Sequence, residues 1–378
     1  MNDGAVALLP PGLRDLLPPE AEIEAAAIEA MGAVFAAHGY ARVKPPLLEF
    51  EESLLGGTGA STGEVTFRLM DPVSHRMLAL RADITPQVAR IAAVRLARAP
   101  RPLRLCYSGQ VLRVRGSELR GARQMSQAGI ELIGSDCAEA DAEVIAVAAE
   151  ALSVLGVPAV SFDLTLPLLV DELLAPLDLP PAREEALRRA IDRKDAAEVA
   201  ALAGPLADTL DELLHAAGPA DRALVSLAAA TLPPNARALA DRLAATVAAV
   251  RDRDSSIRLT ADPLEFRGFR YHRGVAFTIF SAAIADELGR GGAYRAGEEP
   301  ATGVSLYPDA ALAASAQRPA KPRVFVPAGT ASVDAAALRA AGYATVMALG
   351  AVADPVAEAR RLGCTHLAEG ATARPLQE

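Results

Sequence analysis

The chain has 378 residues, a length that calls for two or three compact domains. Its 51% hydrophobic content and evenly spread charge exclude a largely disordered chain, and its formal net charge of −9 weighs against a protein whose main task is to grip a polyanion such as tRNA. No run of roughly 18 apolar residues is present, so no membrane span is expected. Residues 1–11 lack the basic start and long apolar core of a signal peptide, which makes the cytoplasm the expected location. Cys106, Cys137 and Cys364 lie far apart and make no metal-ligand spacing with the five histidines. They read as small buried thiols in a reducing compartment, with no metal and no cofactor expected.

In chain order, Pro19 and Glu20 open a helix over 20–38, with Ile23, Ala27, Met31, Val34 and Phe35 at helical spacing and Gly39 as its stop. A strand over 40–43 ends at Pro45-Pro46. Alternation over 64–80 predicts an antiparallel pair, 65–70 and 76–80, around a turn near Asp71-Pro72. Thr85-Pro86 starts a helix to about residue 98. Two long strands follow, 104–115 and 124–133, separated by a polar, Arg- and Gly-containing segment at 115–123, and then an amphipathic helix over 141–155. From about 168 to 253 the pattern is helical throughout, broken by prolines, which reads as an inserted helical bundle. Strand-like sequence returns at 256–259 and 275–281. A linker at 318–322 precedes a short α/β segment, 319–378, and leaves residues 1–318 as the main domain. Hairpin-linked strands with helices to one side predict an α+β fold with an antiparallel or mixed sheet. No Walker A or dinucleotide glycine pattern is present.

Four clusters could carry chemistry. Asp83 and Thr85 stand at a helix start, where they could grip an ammonium group or simply cap the first turn. Strand alternation puts Val111, Arg113 and Arg115 on one face, where arginines suit a carboxylate or phosphate, or a solvated surface. Gln127, Gly129 and Glu131 share a face, and the glycine leaves room for a small ligand above the sheet. Glu131 beside Leu132 and Ile133 would be costly to bury unpaired, which leaves an exposed edge as its other reading. Arg267, Tyr271 and His272 crowd together just before an apolar strand, where a lone His is more often a structural hydrogen bonder than a catalyst.

In this order and at these separations the clusters resemble class II histidyl-tRNA synthetases, over residues 8–310. Pro11-Gly12-Leu13-Arg14-Asp15 is similar to the family's N-terminal segment, and residues 40–49 resemble motif 1, the dimer-forming helix and strand that end in proline. Leu112-Arg113-Val114-Arg115 sits where motif 2 has Phe-Arg-x-Glu, and 123–131 resembles its return strand. Residues 267–277 resemble the histidine-specific motif, and Gly291-Gly292-Ala293-Tyr294 its glycine-rich strand. The departures fall on the nucleotide side. Arg115 replaces the motif 2 glutamate, Ala293 the arginine of Gly-Gly-Arg-Tyr, and Ala310 the motif 3 arginine that lies against ATP. About 59 residues remain after Pro319, fewer than a full anticodon-binding domain.

The histidine side survives better. The resemblance implies that Asp83, Thr85 and Gln127 take the ligand's ammonium group, with Asp83 replacing a glutamate. It places Arg113 and Arg267 toward the carboxylate and Glu131 toward the imidazole, with Tyr271 and His272 at a Tyr-Tyr pair. A chain that keeps the histidine-facing residues but not the ATP-facing ones resembles the regulatory subunits of ATP phosphoribosyltransferase, and the wording Ala82-Asp83-Ile84-Thr85-Pro86-Gln87 fits that subfamily. The resemblance implies a non-catalytic homodimer within a hetero-oligomer, joined to a short-form catalytic chain, with histidine as feedback effector and no tRNA. The competing expectations are an active histidyl-tRNA synthetase and another synthetase paralogue.

Overall fold

A computed structural model describes residues 9–116, 121–266, 268, 271–315 and 321–376. The chain divides into two compact units, one of Met1–Leu16 with Glu24–Ala316 and one of Leu17–Ile23 with Gln317–Glu378. In chain order the elements begin with α1 (Glu20–Ala37), β1 (Ala41–Arg42), β2 (Leu48–Phe50), α2 (Glu51–Leu54), β3 (Arg68–Met70), β4 (Met77–Leu80) and α3 (Thr85–Arg90). Next come β5 (Leu103–Leu112), β6 (Gln124–Ile133), α4 (Ala138–Ser153) and β7 (Val160–Thr165). The helical insertion follows as α5 (Leu169–Leu174), α6 (Pro181–Asp192), α7 (Ala196–Ala203), α8 (Ala207–His215), α9 (Ala220–Ala229) and α10 (Pro234–Arg253), with the two-residue β8 (Gly218–Pro219) before α9. Then β9 (Arg258–Ala261), β10 (Ala276–Ser281), β11 (Ile284–Ala296), β12 (Glu299–Leu306) and α11 (Pro308–Ala314) close the first unit.

Nine strands form one sheet in the order β1-β5-β6-β12-β11-β10-β7-β9-β8. The long central strands β5, β6, β12, β11 and β10 are antiparallel, and parallel pairs join β1 to β5 and β7 to β9. One face of this sheet is sealed by the main apolar core, in which Ile130 and Leu132 of β6 and Val304 and Leu306 of β12 pack with α4 and with Met31 and Phe35 of α1. Burial of that face fixes strand register, because a one-residue slip would turn every apolar side chain outward. The alternate residues of the same strands, among them Gln127, Gly129 and Glu131, therefore point to the opposite face. The second unit is a four-stranded sheet, β14-β13-β15-β16, of β13 (Arg323–Val326), β14 (Ala344–Met347), β15 (His366–Glu369) and β16 (Thr372–Pro375), with α12 (Ser332–Ala340) and α13 (Pro355–Arg361).

The fold is the expected α+β class, and several local expectations need correction. The strand expected over 65–70 is confined to Arg68–Met70, because Gly57–Val65 coils into tight turns held by hydroxyl-to-carbonyl bonds of Ser61, Thr62 and Thr66. The helix expected from Thr85 to about 98 is regular only to Arg90 and then widens into a π turn, Ile91–Arg95. The first long strand stops at Leu112, so Arg113 and Arg115 lie beyond it and do not share a strand face with Val111. No sequence pattern announces β16, which pairs antiparallel with β15. The expected linker at 318–322 falls partly outside the described residues.

Candidate functional site

Arg81 sets the site's first wall. It is buried, donating from Nε to the Gln110 carbonyl (2.8 Å) and from Nη1 to that of Pro45 (3.1 Å), while Leu112 N–H donates to its own carbonyl (3.0 Å). Gly109 makes this possible, since a Cβ there would strike the guanidinium. The residues after Arg81 are thereby held over β5 and β6. Asp83 Oδ1 accepts from Thr85 N–H (3.1 Å) and from Gln127 Nε2 (2.8 Å), while the helix cap itself is Ile84, which makes no side-chain bond. Gln127 Oε1 in turn accepts from Ile84 N–H (3.0 Å), so both ends of its amide are fixed. The same nitrogen also donates to Ser305 Oγ (2.6 Å), which tethers β6 to β12.

Glu131 is the centre of the arrangement. It lies on an inner strand at 1% exposure, which rules out the edge position. Its Oε1 accepts from Thr85 Oγ1 (2.9 Å) and Tyr107 Oη (3.3 Å), and its Oε2 from Tyr294 Oη (2.8 Å). All these donors are hydroxyls, and among the described residues no cation pairs with it. Burial pushes its carboxyl up to about 8, against the opposing pull of Tyr294, Thr85 and Tyr107, with the Asp83 charge adding to the rise. The floor around it is glycine: a Cβ at Gly303 would collide with Glu131, and one at Gly129 with Tyr107 and the Val304 carbonyl. Glu131, Thr85, Tyr294, Tyr271, His272, Arg290 and the backbone of Gly291, Gly292 and Gly303 line a small, partly open cavity.

The other sequence candidates divide. Tyr271 and His272 join the cavity as a stacked pair (centroids 4.4 Å apart), with Tyr294 edge-on to Tyr271 at 6.0 Å. Burial, helped by the Arg290 charge, drives His272 down to about 3, so its imidazole stays neutral. Arg113 stands just past β5, with Nε 3.4 Å from the Ala82 carbonyl. Arg267 lies outside the described residues, as do 117–120 of the polar segment at 115–123. Of the three positions expected to mark a lost nucleotide site, Arg115 is exposed, Ala293 pairs with Thr302 across β11 and β12, and Ala310 is buried in the main core.

Tyr107, Tyr294, Ser305 and Arg290 join the site without being sequence candidates. Tyr294 stands inside the glycine-rich motif, which could have flagged it; the others reach the cavity only through strand pairing. Three cysteines are free, Cys106 and Cys364 buried and Cys137 less so. Among the described residues no group of three His, Cys, Asp or Glu could hold a metal, and no helix is long and apolar enough to cross a membrane.

A family model described as histidyl-tRNA synthetase matches residues 12–311. The chain is 56% identical, over 95% of its own length and 95% of the relative's, to an ATP phosphoribosyltransferase regulatory subunit of Paramagnetospirillum magneticum. It belongs to the family of ATP phosphoribosyltransferase regulatory subunits. Among solved structures, a Bacillus halodurans protein described as an ATP phosphoribosyltransferase regulatory subunit/histidyl-tRNA synthetase superposes with a TM-score of 0.77 at 23% identity, covering 95% of this chain and 97% of that one. A chain of the ATP phosphoribosyl transferase (HisG:HisZ) complex of Thermotoga maritima has a TM-score of 0.59 at 17% identity, covering 75% of this chain and 97% of that one. Both likenesses bear on the fold alone.

Proposed function

We propose that this regulatory subunit binds free L-histidine over β6 and β12 and relays its presence to a short-form catalytic chain of ATP phosphoribosyltransferase as feedback inhibition. The observation that carries the reading is Glu131, a fully buried carboxyl group that, among the described residues, is served by hydroxyls alone. Desolvating an acid without a cation is costly, and a ligand that brings an N–H or a positive charge to Glu131 recovers that cost. Asp83, Thr85 and Gln127 form a second acceptor cluster suited to an ammonium group, and Arg113 and Arg267 are assigned to the carboxylate. Tyr271 and His272 supply an aromatic wall for the imidazole. Polar groups that converge on three ends of one amino acid penalise any ligand lacking one of them.

In this reading Arg115, Ala293 and Ala310 remove the grip on ATP, so the subunit neither adenylates histidine nor charges tRNA. Residues 1–318 bind the effector, and 319–378 form an α/β domain shorter than an anticodon-binding one. The subunit works in the cytoplasm as a homodimer within a hetero-oligomer. The Thermotoga complex supports the partnership, since its name pairs two kinds of chain. Histidine acts by binding the inhibited assembly more tightly than the active one, by a typical coupling of about 1–3 kcal/mol. Calorimetric titration with histidine and with ATP, paired with co-purification and inhibition assays on the short catalytic chain, tests this. Histidine binding without ATP binding, and inhibition relieved by Glu131→Gln with assembly intact, is the expected result. ATP binding without histidine binding overturns it.

A further inference from the structure

Arg290 lies outside every motif that pointed to the cavity, yet strand pairing delivers it there. On β11 it pairs with Ser305 of β12, Ser305 pairs with Gly129 of β6, and Gly129 with Tyr107 of β5. Residues paired across neighbouring strands project to the same face of a sheet. Arg290 therefore rises from the face that carries Tyr107, Ser305, Gln127 and Glu131, two strand spacings, roughly 10 Å, from the row's glycine. Its Nε donates to Glu287 Oε2 (2.5 Å), which fixes the direction of the side chain. Its Nη1 lies under the backbone at Gly268, where φ is +81° and a Cβ would collide with it. The guanidinium is thus held between a carboxylate and a turn that only glycine allows, and it lines the same cavity as Glu131, Thr85 and Tyr294.

We propose that Arg290 is a further specificity-determining residue of the cavity, a fixed cation that joins Arg113 and Arg267 in selecting a ligand bearing a free carboxylate. The cavity is then bipolar. Its acidic side is Glu131, with Asp83 behind Thr85, and Arg290 adds a cation on the far side of the lining, matching the two charges of a free amino acid. The neighbourhood of Arg290 agrees with an anion-accepting end. After burial, its charge is what holds His272 neutral, and Tyr307, raised by burial and by Glu287, is drawn the other way by the guanidinium groups of Arg113 and Arg290. A guanidinium meets a carboxylate with two parallel N–H donors, a fork that an alcohol or amide in the same place cannot engage in full, although Glu287 already balances part of the Arg290 charge. The physiological sense is discrimination: a feedback sensor with a carboxylate requirement ignores alcohol, amide and amine analogues of its effector.

This inference deepens the histidine-binding reading and rests on it, so the experiment separates their failures. L-histidine and histidinol, which keeps the imidazole and the amine but replaces the carboxylate with a hydroxymethyl group, are titrated calorimetrically into the full chain and its variants. The wild-type protein is expected to bind histidinol at least about 10-fold more weakly than L-histidine. Arg290→Met should weaken L-histidine by about 10- to 100-fold and change histidinol by less than about 3-fold, narrowing the discrimination. Because that variant strands Glu287, the comparison is repeated with Arg290→Met and Glu287→Gln together, with the same expected pattern. Arg290→Lys keeps the charge without the fork and should fall between the two, which preserves the test if the Met variants do not fold. Equal weakening of both ligands would mean that Arg290 merely supports the fold, and unchanged L-histidine affinity would mean that it does not meet the ligand; either overturns the proposal. A wild-type protein that binds neither ligand defeats the histidine reading itself.

Discussion

Two carboxylates are buried to nearly the same depth on opposite sides of the main sheet. Glu131 is 1% exposed and Asp141 of α4 is 2% exposed. Asp141 Oδ2 accepts from Nε (3.0 Å) and Nη2 (2.8 Å) of Arg242 on α10, and from Thr246 Oγ1 (3.3 Å). Burial raises its pKa, and the Arg242 charge works against that rise. Glu131 has hydroxyl donors and, among the described residues, no such cation. The difference separates two uses of one costly feature. A buried acid with its cation built in joins two helices, whereas a buried acid at a cavity without one leaves the compensating group to a ligand.

The largest expected effect exchanges the consequences of the two residues. Glu131→Gln should weaken histidine by about 100-fold in calorimetry, because the ligand's positive charge draws Glu131 into its ionised form and an amide cannot ionise, with no loss of stability near neutral pH. Asp141→Asn should leave histidine affinity within about 3-fold while lowering stability by about 3–5 kcal/mol in chemical denaturation, because Arg242 then loses its buried partner. A binding defect from Asp141→Asn as large as that from Glu131→Gln would erase the distinction.

Next comes pH. Glu131 is raised from 4.5 to about 8 in the folded protein. Between those values the folded state holds a proton that the unfolded state has released. Stability is therefore greatest below the unfolded pKa and declines as pH rises toward 8, by an amount on the order of a few kcal/mol from this group. Glu131→Gln should remove that slope, so the variant gains on the wild type between pH 5 and 8 in denaturant titrations. Parallel curves over that window would show that Glu131 is not held as a neutral acid.

Smaller effects probe the surroundings of Glu131. Gly303→Ala places a methyl group against its carboxylate and should cost about 1–3 kcal/mol of stability, with a clear loss of histidine affinity. Thr85→Val and Tyr294→Phe each remove one hydroxyl donor. Each should lower histidine affinity by about 3- to 10-fold, equivalent to about 0.5–1.5 kcal/mol. Unchanged affinity in both variants, measured by the same titration, would mean that the hydroxyls serve the fold and not the ligand.

How legible all this is in the sequence depends on where the determining forces act. β6 spans the expected bounds, 124–133, because its alternation reflects a sheet with one apolar-packed face. α1 gives way where Gly39 adopts φ +80°. The helix at Thr85 is shorter than its pattern suggests, because composition alone does not distinguish an α-helix from the π turn at Ile91–Arg95. Arg113 and Arg115 leave the strand that alternation assigns them because strand ends are set by pairing. Past Leu112 that pairing is replaced by the Arg113 N–H bond to the Arg123 carbonyl and the Val114 N–H bond to that of Val65.

For the site, the sequence by itself determined which groups were available. The order of the motifs and the identities of Asp83, Thr85, Gln127, Glu131, Arg115, Ala293 and Ala310 are all readable, since these are matters of residue identity and spacing. The tertiary structure decided what those groups became. Thr85 and Tyr294 stand 46 and 163 residues from Glu131 in the chain, and their hydroxyls meet its carboxylate only after the central strands have paired. Desolvation of Glu131, the glycine floor beneath it and the arrival of Arg290 depend on register between strands remote in sequence. Burial and dielectric belong to the assembled sheet, so they appear in no local pattern of residues.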